Sequence, residues 1–401
     1  MAAEYDLWKI FPRMPKKVTI GDITIRDGFQ HEEKFISTAA KVFYVEEMIL
    51  AGCKEIELTN LGNPTGMPQF KDAHEIFKYF KQGERFKKRC ARKGINPDDI
   101  TFTGVTIREP AVDTAIEMKK EGYGPDRILM MVSTDEEHHF ANSGTTLPDY
   151  WAEAERCIKK ATDAGIKMCG TVSTIWGSPI GGATDLKDAV EFTKRWFEIG
   201  ANDIEHADHD GSASSADVYC YCSMILDEMP NPEAHLLHLH ETKRVASASI
   251  LGALMAGFTR FEGTLGGLGG QPANFLDDVP IRGTGEYYYE DPRYVGLITM
   301  EDLLVQIDEM GIKHGYDVGR VLWLGQKMEK TIGRRLRSEA VINGRTMKEG
   351  HMKFARPGRA ARKEKLGETP DQMVPSDWGE KAVLPDPWGP EMFEQKFADK
   401  I

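Results

Sequence analysis

Ala51-Gly52-Cys53-Lys54-Glu55-Ile56-Glu57 reads as the end of a helix, a glycine and the start of a strand, and the pattern does not stand alone. It returns in degenerate form at Ala164-Gly165-Ile166-Lys167-Met168, at Ile199-Gly200-Ala201-Asn202-Asp203-Ile204-Glu205 and at Ala256-Gly257-Phe258-Thr259-Arg260-Phe261-Glu262. A glycine closes a helix well because it tolerates the left-handed backbone needed there. The chain is therefore a βα repeat. Filling the gaps predicts strands near 18–25, 54–59, 100–107, 127–133, 167–173, 202–208, 234–240 and 258–264, with helical stretches between most of them. Eight strands alternating with helices is the count of a closed α/β TIM (β/α)8 barrel. A doubly wound open sheet is the alternative, but no Gly-x-Gly-x-x-Gly follows the first strand to mark a dinucleotide site.

The flanks divide the chain further. Residues 1–16, with Trp8, Ile10 and Phe11, form an N-terminal arm that packs aromatics on the body, and 17–298 form the barrel. Within it, 265–298 is a loop excursion across the mouth: a run too glycine-rich for helix or ordinary strand, from Gly263 to Asn274, then Tyr287-Tyr288-Tyr289 among charges. A helix pair from Thr299 to about Arg337 sits in a C-terminal helical segment, 299–342. Residues 343–401, rich in charge and proline, form an extended tail that is either loose or held by another subunit. The basic stretch Lys348 to Lys365 within it is a solvated face or, alternatively, a phosphate or CoA contact.

The bulk properties bound the function. A chain of 401 residues, 41% hydrophobic, can bury a large core, and a net charge of −12 argues against general nucleic-acid binding. No apolar run is long enough to span a bilayer and the first residues lack the form of a signal peptide, so the expectation is a cytoplasmic protein without membrane partners. Six scattered cysteines with no Cys-x-x-Cys pair read as reduced thiols.

In Glu233-Ala-His-Leu-Leu-His-Leu-His-Glu-Thr242, a period of two puts His238 and His240 on one face and Leu237 and Leu239 on the other. In a parallel barrel all strand ends open at one face, so residues distant in sequence meet there. The first strand's end brings Arg26, Asp27 and Gln30, the second Glu57 and Asn60, the sixth Asp208, His209 and Asp210. One carboxylate (Asp27) with two imidazoles (His238, His240) suits a divalent ion with positions open for substrate. Arg26 beside them would neutralise an enolate oxygen or bind a carboxylate. Each residue also has a structural reading: Arg26 and Asp27 as an ion pair, Glu57 as a carboxylate satisfied by Asn60 or Thr59. His209 reads as a general acid, a third ligand or a satisfied loop histidine, Asp22 as structural, and Cys53 and Cys169 as small core residues.

Thr24-Ile-Arg-Asp-Gly-Phe-Gln30, Ile56-Glu-Leu-Thr59, the glycine loop 266–270 and His238-Leu-His-Glu-Thr242 resemble the HMG-CoA lyase-like, or pyruvate-carboxyltransferase-domain, branch of the DRE-TIM metallolyase superfamily. The resemblance covers roughly residues 17–340 and includes Glu301-Asp302-Leu303. It implies that Asp27, His238 and His240 bind a divalent metal (Mg, Mn, Co or Zn), that Arg26 stabilises an enolate and that Glu57 lies near the reacting hydroxyl. Two positions depart from the family. Gln271 stands where the lyases carry a catalytic cysteine, and Leu297 follows Gly296 where the family has a ligand asparagine, a place that Asn274 could fill.

Taken together, the residues and the resemblance lead us to expect a metal-dependent carbon–carbon lyase acting through an enolate on a 3-hydroxy-acyl-CoA or related small carboxylic acid. Its catalytic residues would be Arg26, Glu57, Gln30 and His209, its substrate contacts Asn60, Asp208 and Gln271, and its metal ligands Asp27, His238, His240 and Asn274. A homo-oligomer is expected. The alternatives are a condensing enzyme that joins acetyl-CoA to a 2-oxo acid and a non-catalytic ligand-binding barrel.

Overall fold

Eight parallel strands each pair with the next in sequence, and the last returns to the first. In this computed structural model, residues 6–62, 64–270, 274–276, 279–281 and 295–344 are described. The strands are β1 (Thr19–Asp22), β2 (Glu55–Asn60), β3 (Thr101–Val105), β4 (Arg127–Ser133), β5 (Lys167–Ser173), β6 (Asp203–Asp208), β7 (His235–Leu239) and β8 (Arg260–Gly263). Closure is set by the register Thr19↔Arg260 to Asp22↔Gly263 between β1 and β8. The TIM (β/α)8 barrel expected from the repeat is therefore the fold.

The helix-glycine-strand signal works as its chemistry requires. Gly52 ends the helix Thr38–Ala51 at φ 119°, and a Cβ there would stand 2.3 Å from the carbonyl oxygen of Gly315. The first strand is shorter than its apolar run. After Asp22 the chain enters a wide turn over Thr24–Gly28, in which the Gly28 amide reaches the Ile23 carbonyl at 3.2 Å. Asp22 diverts it, because its carboxylate accepts both the hydroxyl and the amide of Thr24, at 2.5 and 3.4 Å. Wide turns of this kind favour functional sites, and this one carries Arg26 and Asp27.

Inside the barrel, side chains stack in layers drawn from alternate strands. The base is charged: Arg127 of β4 and Arg260 of β8 both hold Asp203 of β6, at 2.7 and 2.8 Å, and Arg260 also reaches Glu55 of β2 at 2.8 Å. Above it, Val105, Leu129 and Cys169 make an apolar plug. Replacing Asp203 with alanine would leave two buried guanidinium groups short of their shared acceptor. The expected loss is about 3–5 kcal/mol, read as a lower urea midpoint; an unchanged midpoint would contradict the basal layer's structural role.

The flanks of the barrel carry elements of their own. Leu7, Trp8 and Phe11 of the arm pack on the core. The helix pair is Met300–Glu309 and Val318–Ile332, and a third short helix, Glu339–Asn343, follows it. In the excursion, β9 (Asn274–Leu276) pairs antiparallel with β10 (Val279–Ile281). Gln271, the side chain of Asn274, the tyrosine triplet and the tail from 345 lie outside the described residues. The returning chain lies against the end of β7, where the Ile298 amide donates to the Leu239 carbonyl at 3.1 Å and Leu297 bridges His240. Among the described residues no helix is long and apolar enough to cross a membrane.

Candidate active site

The mouth of the barrel is built around an arginine held by two carboxylates. Arg26 donates through Nε to Glu57 Oε2 at 2.5 Å and through Nη1 to Asp27 Oδ2 at 2.6 Å. Burial opposes its charge, but Glu57 and Asp27, with Glu205 and Glu262 beyond them, raise its pKa above the ordinary value. The guanidinium thus stays charged in a buried place. The remaining oxygens, Asp27 Oδ1 and Glu57 Oε1, are buried and have no hydrogen-bond partner among the described residues. An unsatisfied buried carboxylate oxygen is costly, so each reads as an acceptor waiting for a ligand or substrate.

Around Asp27 Oδ1 the chain is fitted closely. Gly269 adopts φ 133°, and a Cβ there would stand 2.9 Å from that oxygen. His238 and His240 both use Nδ1 for hydrogen bonds, the first with Glu262 Oε1 at 2.5 Å and the second with the Val295 carbonyl at 2.6 Å. Both rings therefore keep Nε2 for another partner, with their centroids 5.2 Å apart. A carbonyl can only accept, so His240 carries hydrogen on Nδ1. Burial, with His238 next, lowers its pKa to about 4, and the ring stays neutral at pH 7, as a metal ligand must. A carboxylate or carbonyl behind each imidazole is the arrangement that orients histidines on a metal. The orphaned Asp27 oxygen and the two Nε2 atoms thus have the donor chemistry that a divalent ion takes, although among the described residues the group whose ligand atoms all come within 4.8 Å of one another is Glu205, His238 and Glu262.

Beneath His238 lies a group that sequence reasoning missed. Glu205, His238 and Glu262 each bring one ligand atom within 4.8 Å of the others. The 2.5 Å contact with Glu262 already occupies His238 Nδ1, which makes Glu262 the orienting partner of that ring rather than an open ligand. Burial, then Glu57, pushes the Glu262 carboxyl well above its ordinary range. Burial, then Glu262, takes Glu205 to about 8. A dication nearby would offset this crowding of negative charge. The missing signal was periodic: Arg260 and Glu262 are two residues apart in a strand, so both face inward.

The other expected site residues take varied places. Gln30 donates to Asp27 Oδ2 at 3.0 Å and to the Gly270 carbonyl at 2.9 Å, so it ties the carboxylate to the glycine loop instead of offering a free catalytic group. That loop is tightly turned and buried, and its Gly266 amide donates to Glu301 at 2.9 Å. Asn60 Oδ1 accepts the Gly62 amide at 2.7 Å. Asp208, expected as a substrate contact, receives the amides of Ser212 and Ala213 on separate oxygens, at 3.1 and 3.2 Å, and so also holds its loop. Burial, then Asp210, raises its pKa to about 7. His209 stands half-buried, 6.3 Å from His240 between ring centroids. Cys53 and Cys169 are buried core residues.

Comparison with known proteins adds to this geometry. The family model described as HMGL-like matches residues 17–326. A hydroxymethylglutaryl-CoA lyase of Bacillus subtilis is 24% identical over 79% of this chain and 95% of its own length. An (R)-citramalyl-CoA lyase of Chloroflexus aurantiacus is 25% identical over 80% and 92%. Among solved structures, an HMG-CoA lyase of Acinetobacter baumannii in complex with coenzyme A and 3-methylmalate superposes with a TM-score of 0.69, at 23% identity, over 83% of this chain and 97% of that one.

Proposed function

The chain belongs to the HMGL-like family, and from that premise we propose that it is a divalent-metal-dependent carbon–carbon lyase that cleaves a 3-hydroxyacyl-CoA at the mouth of its barrel. The observation that carries the site assignment is the orphaned Asp27 Oδ1 beside two imidazoles whose Nδ1 atoms are already engaged. Asp27, His238 and His240 would hold the ion, which supplies a positive charge to polarise substrate oxygens. On the resemblance alone, Asn274 would be the fourth ligand and Gln271 a substrate contact.

The chain's own groups then divide the work. Glu57 Oε1 accepts the proton of the substrate's 3-hydroxyl, as a buried carboxylate oxygen without a partner is suited to do. As the bond between C2 and C3 breaks, its electron pair moves into the thioester and C3 becomes a carbonyl. Guanidinium hydrogens of Arg26 not spent on Glu57 and Asp27 meet the enolate oxygen where charge develops. A proton from solvent taken up at C2 then completes the acetyl-CoA type product, and Glu57 releases the hydroxyl proton to solvent. Gln30 holds Asp27 in register with the glycine loop, and Asp208 holds the loop that carries His209.

Elemental analysis of the purified protein beside Asp27→Ala and His238→Ala tests the site. The expected result is about one divalent ion per chain in the wild type, lost in both variants. In parallel, release of acetyl-CoA from a panel of 3-hydroxyacyl-CoA thioesters is followed by liquid chromatography. No metal after addition of Mg, Mn, Co and Zn would end the metalloenzyme reading and favour a non-catalytic barrel.

A further inference from the structure

The mouth of the barrel is divided by chemistry. Arg26, Asp27, Glu57, His238 and His240 come from β1, β2 and β7 and the turns that follow them. Across β3 to β5 the interior is apolar instead. Val105, Leu129 and Cys169 are buried together, and Ile107 and Met131 pack on them while keeping part of their own surface open. The register explains the layering: Val105 pairs with Leu129 and Leu129 with Cys169, so the three stand at one height. Met131 is two residues on in β4 and Ile107 two beyond Val105, so both stand a step nearer the mouth with the plug beneath them.

The polar groups on this side are neutral or already claimed. Thr171 of β5 gives its hydroxyl to Glu205 at 3.1 Å. Ser133 at the end of β4 meets Nδ1 of His138 at 2.8 Å, and that ring reaches on to His209 at 3.0 Å. Burial lowers the pKa of His138 to about 4, so it is neutral at pH 7. Ser173 Oγ is buried without a partner among the described residues, but a hydroxyl carries no charge. Arg108, next to Ile107 in sequence, is spent on Glu153 at 3.0 Å and on the Ser143 carbonyl at 2.6 Å. Arg127 lies below the plug, on Thr103 and Asp203. Among the described residues of β3, β4 and β5 and the turns that end them, none offers a positive charge to the space over Ile107 and Met131. A carboxylate placed there would lose its water and gain no counter-charge, which strongly disfavours it.

We propose that Ile107 and Met131 form the wall that takes the substituent on C3, and that the substrates are 3-hydroxyacyl-CoA thioesters whose C3 carries a hydrocarbon group in place of a carboxymethyl group. The inference rests on the lyase reading, which places C3 by its hydroxyl at Glu57 Oε1. Glu57 belongs to β2, and β3 is the next strand round the barrel, on the side away from β1. With the ion on side chains of β1 and β7, the substituent that turns from it meets β3 and β4, where the wall stands. The cleavage consumes no further reactant. The C2–C3 bond breaks, its electron pair stays with the C2 fragment, C2 takes a proton from solvent and the hydroxyl proton leaves through Glu57. One hydrocarbon group on C3 then gives acetyl-CoA and an aldehyde, and two give acetyl-CoA and a ketone.

Two thioesters of similar size test this on the full chain with Mg or Mn added: 3-hydroxyhexanoyl-CoA, with a propyl group on C3, and 3-hydroxyglutaryl-CoA, with a carboxymethyl group there. The ratio of their kcat/KM values should favour the first by about a hundredfold. Met131→Lys brings a cation to the wall and should reverse the order. Met131→Ala, the milder change, makes room and should raise the ratio of 3-hydroxyoctanoyl-CoA to 3-hydroxyhexanoyl-CoA about tenfold. Binding is read separately by calorimetry with hexanoyl-CoA and glutaryl-CoA, which lack the hydroxyl and cannot be cleaved in this way. The wild type should hold hexanoyl-CoA about tenfold more tightly. Equal or tighter binding of glutaryl-CoA, a kcat/KM that favours 3-hydroxyglutaryl-CoA, or a chain-length ratio unmoved by Met131→Ala overturns the proposal. If hexanoyl-CoA is preferred in binding and neither hydroxy thioester is cleaved, the apolar wall stands and it is the lyase reading that fails.

Discussion

Replacing Arg26 with alanine is expected to lower turnover of the best thioester by about a thousandfold while the metal stays bound. Arg26 is buried, with Nε and Nη2 on Glu57 and Nη1 on Asp27, which leaves one hydrogen on each of its two terminal nitrogens. If its remaining hydrogens meet the enolate oxygen, they act where charge appears during the reaction, so kcat should fall more than KM rises. Metal affinity should hold or improve, since a positive charge 2.6 Å from Asp27 Oδ2 is removed. Steady-state kinetics with metal content measured on the same sample separates the two effects. Normal turnover in this variant would disprove the enolate mechanism as assigned.

Glu57→Gln comes next in size. The amide oxygen can still accept from Arg26, so the fold and the arginine's position should be kept, but the group can no longer take a proton from the substrate hydroxyl. The expected fall in kcat is about 10²- to 10⁴-fold. Exchange of the acetyl-CoA methyl hydrogens with deuterium from solvent gives an independent reading, because it requires an enolate and no hydroxyl. The glutamine variant should retain this exchange and Arg26→Ala should lose it. Loss in both would move Glu57 from the hydroxyl to the carbon, while retention in both would remove Arg26 from the enolate.

Much of this could be read before the structure. Glycines such as Gly52 announce the junction of helix and strand because only they fit the backbone there, and β4, β5 and β7 fall within a residue or two of their expected places. His238 and His240 were legible because a strand's period fixes which side chains share a face. Orienting contacts were not. Glu262 reaches His238 from the next strand and His138 reaches His209 from two strands away, and such pairs depend on closure of the barrel. Gln30 and Asp208 were in the expected neighbourhood, but the sequence does not say that backbone groups already claim them. The wide turn over Thr24–Gly28 was hidden for a local reason: its residues have strand-like side chains, and one hydrogen-bonding aspartate redirects them.

The charged base of the barrel has a bearing on how such a protein can change over generations. Arg127, Asp203, Arg260 and Glu55 close the end opposite the chemistry, and Val105, Leu129 and Cys169 stand above them on the β3 to β5 side. Stability invested at one end lets the other drift, since substitutions in the loops after β4, β5 and β6 leave that foundation in place. A lineage built this way can acquire new substrates by rewriting a few mouth residues, without first having to solve the folding problem again.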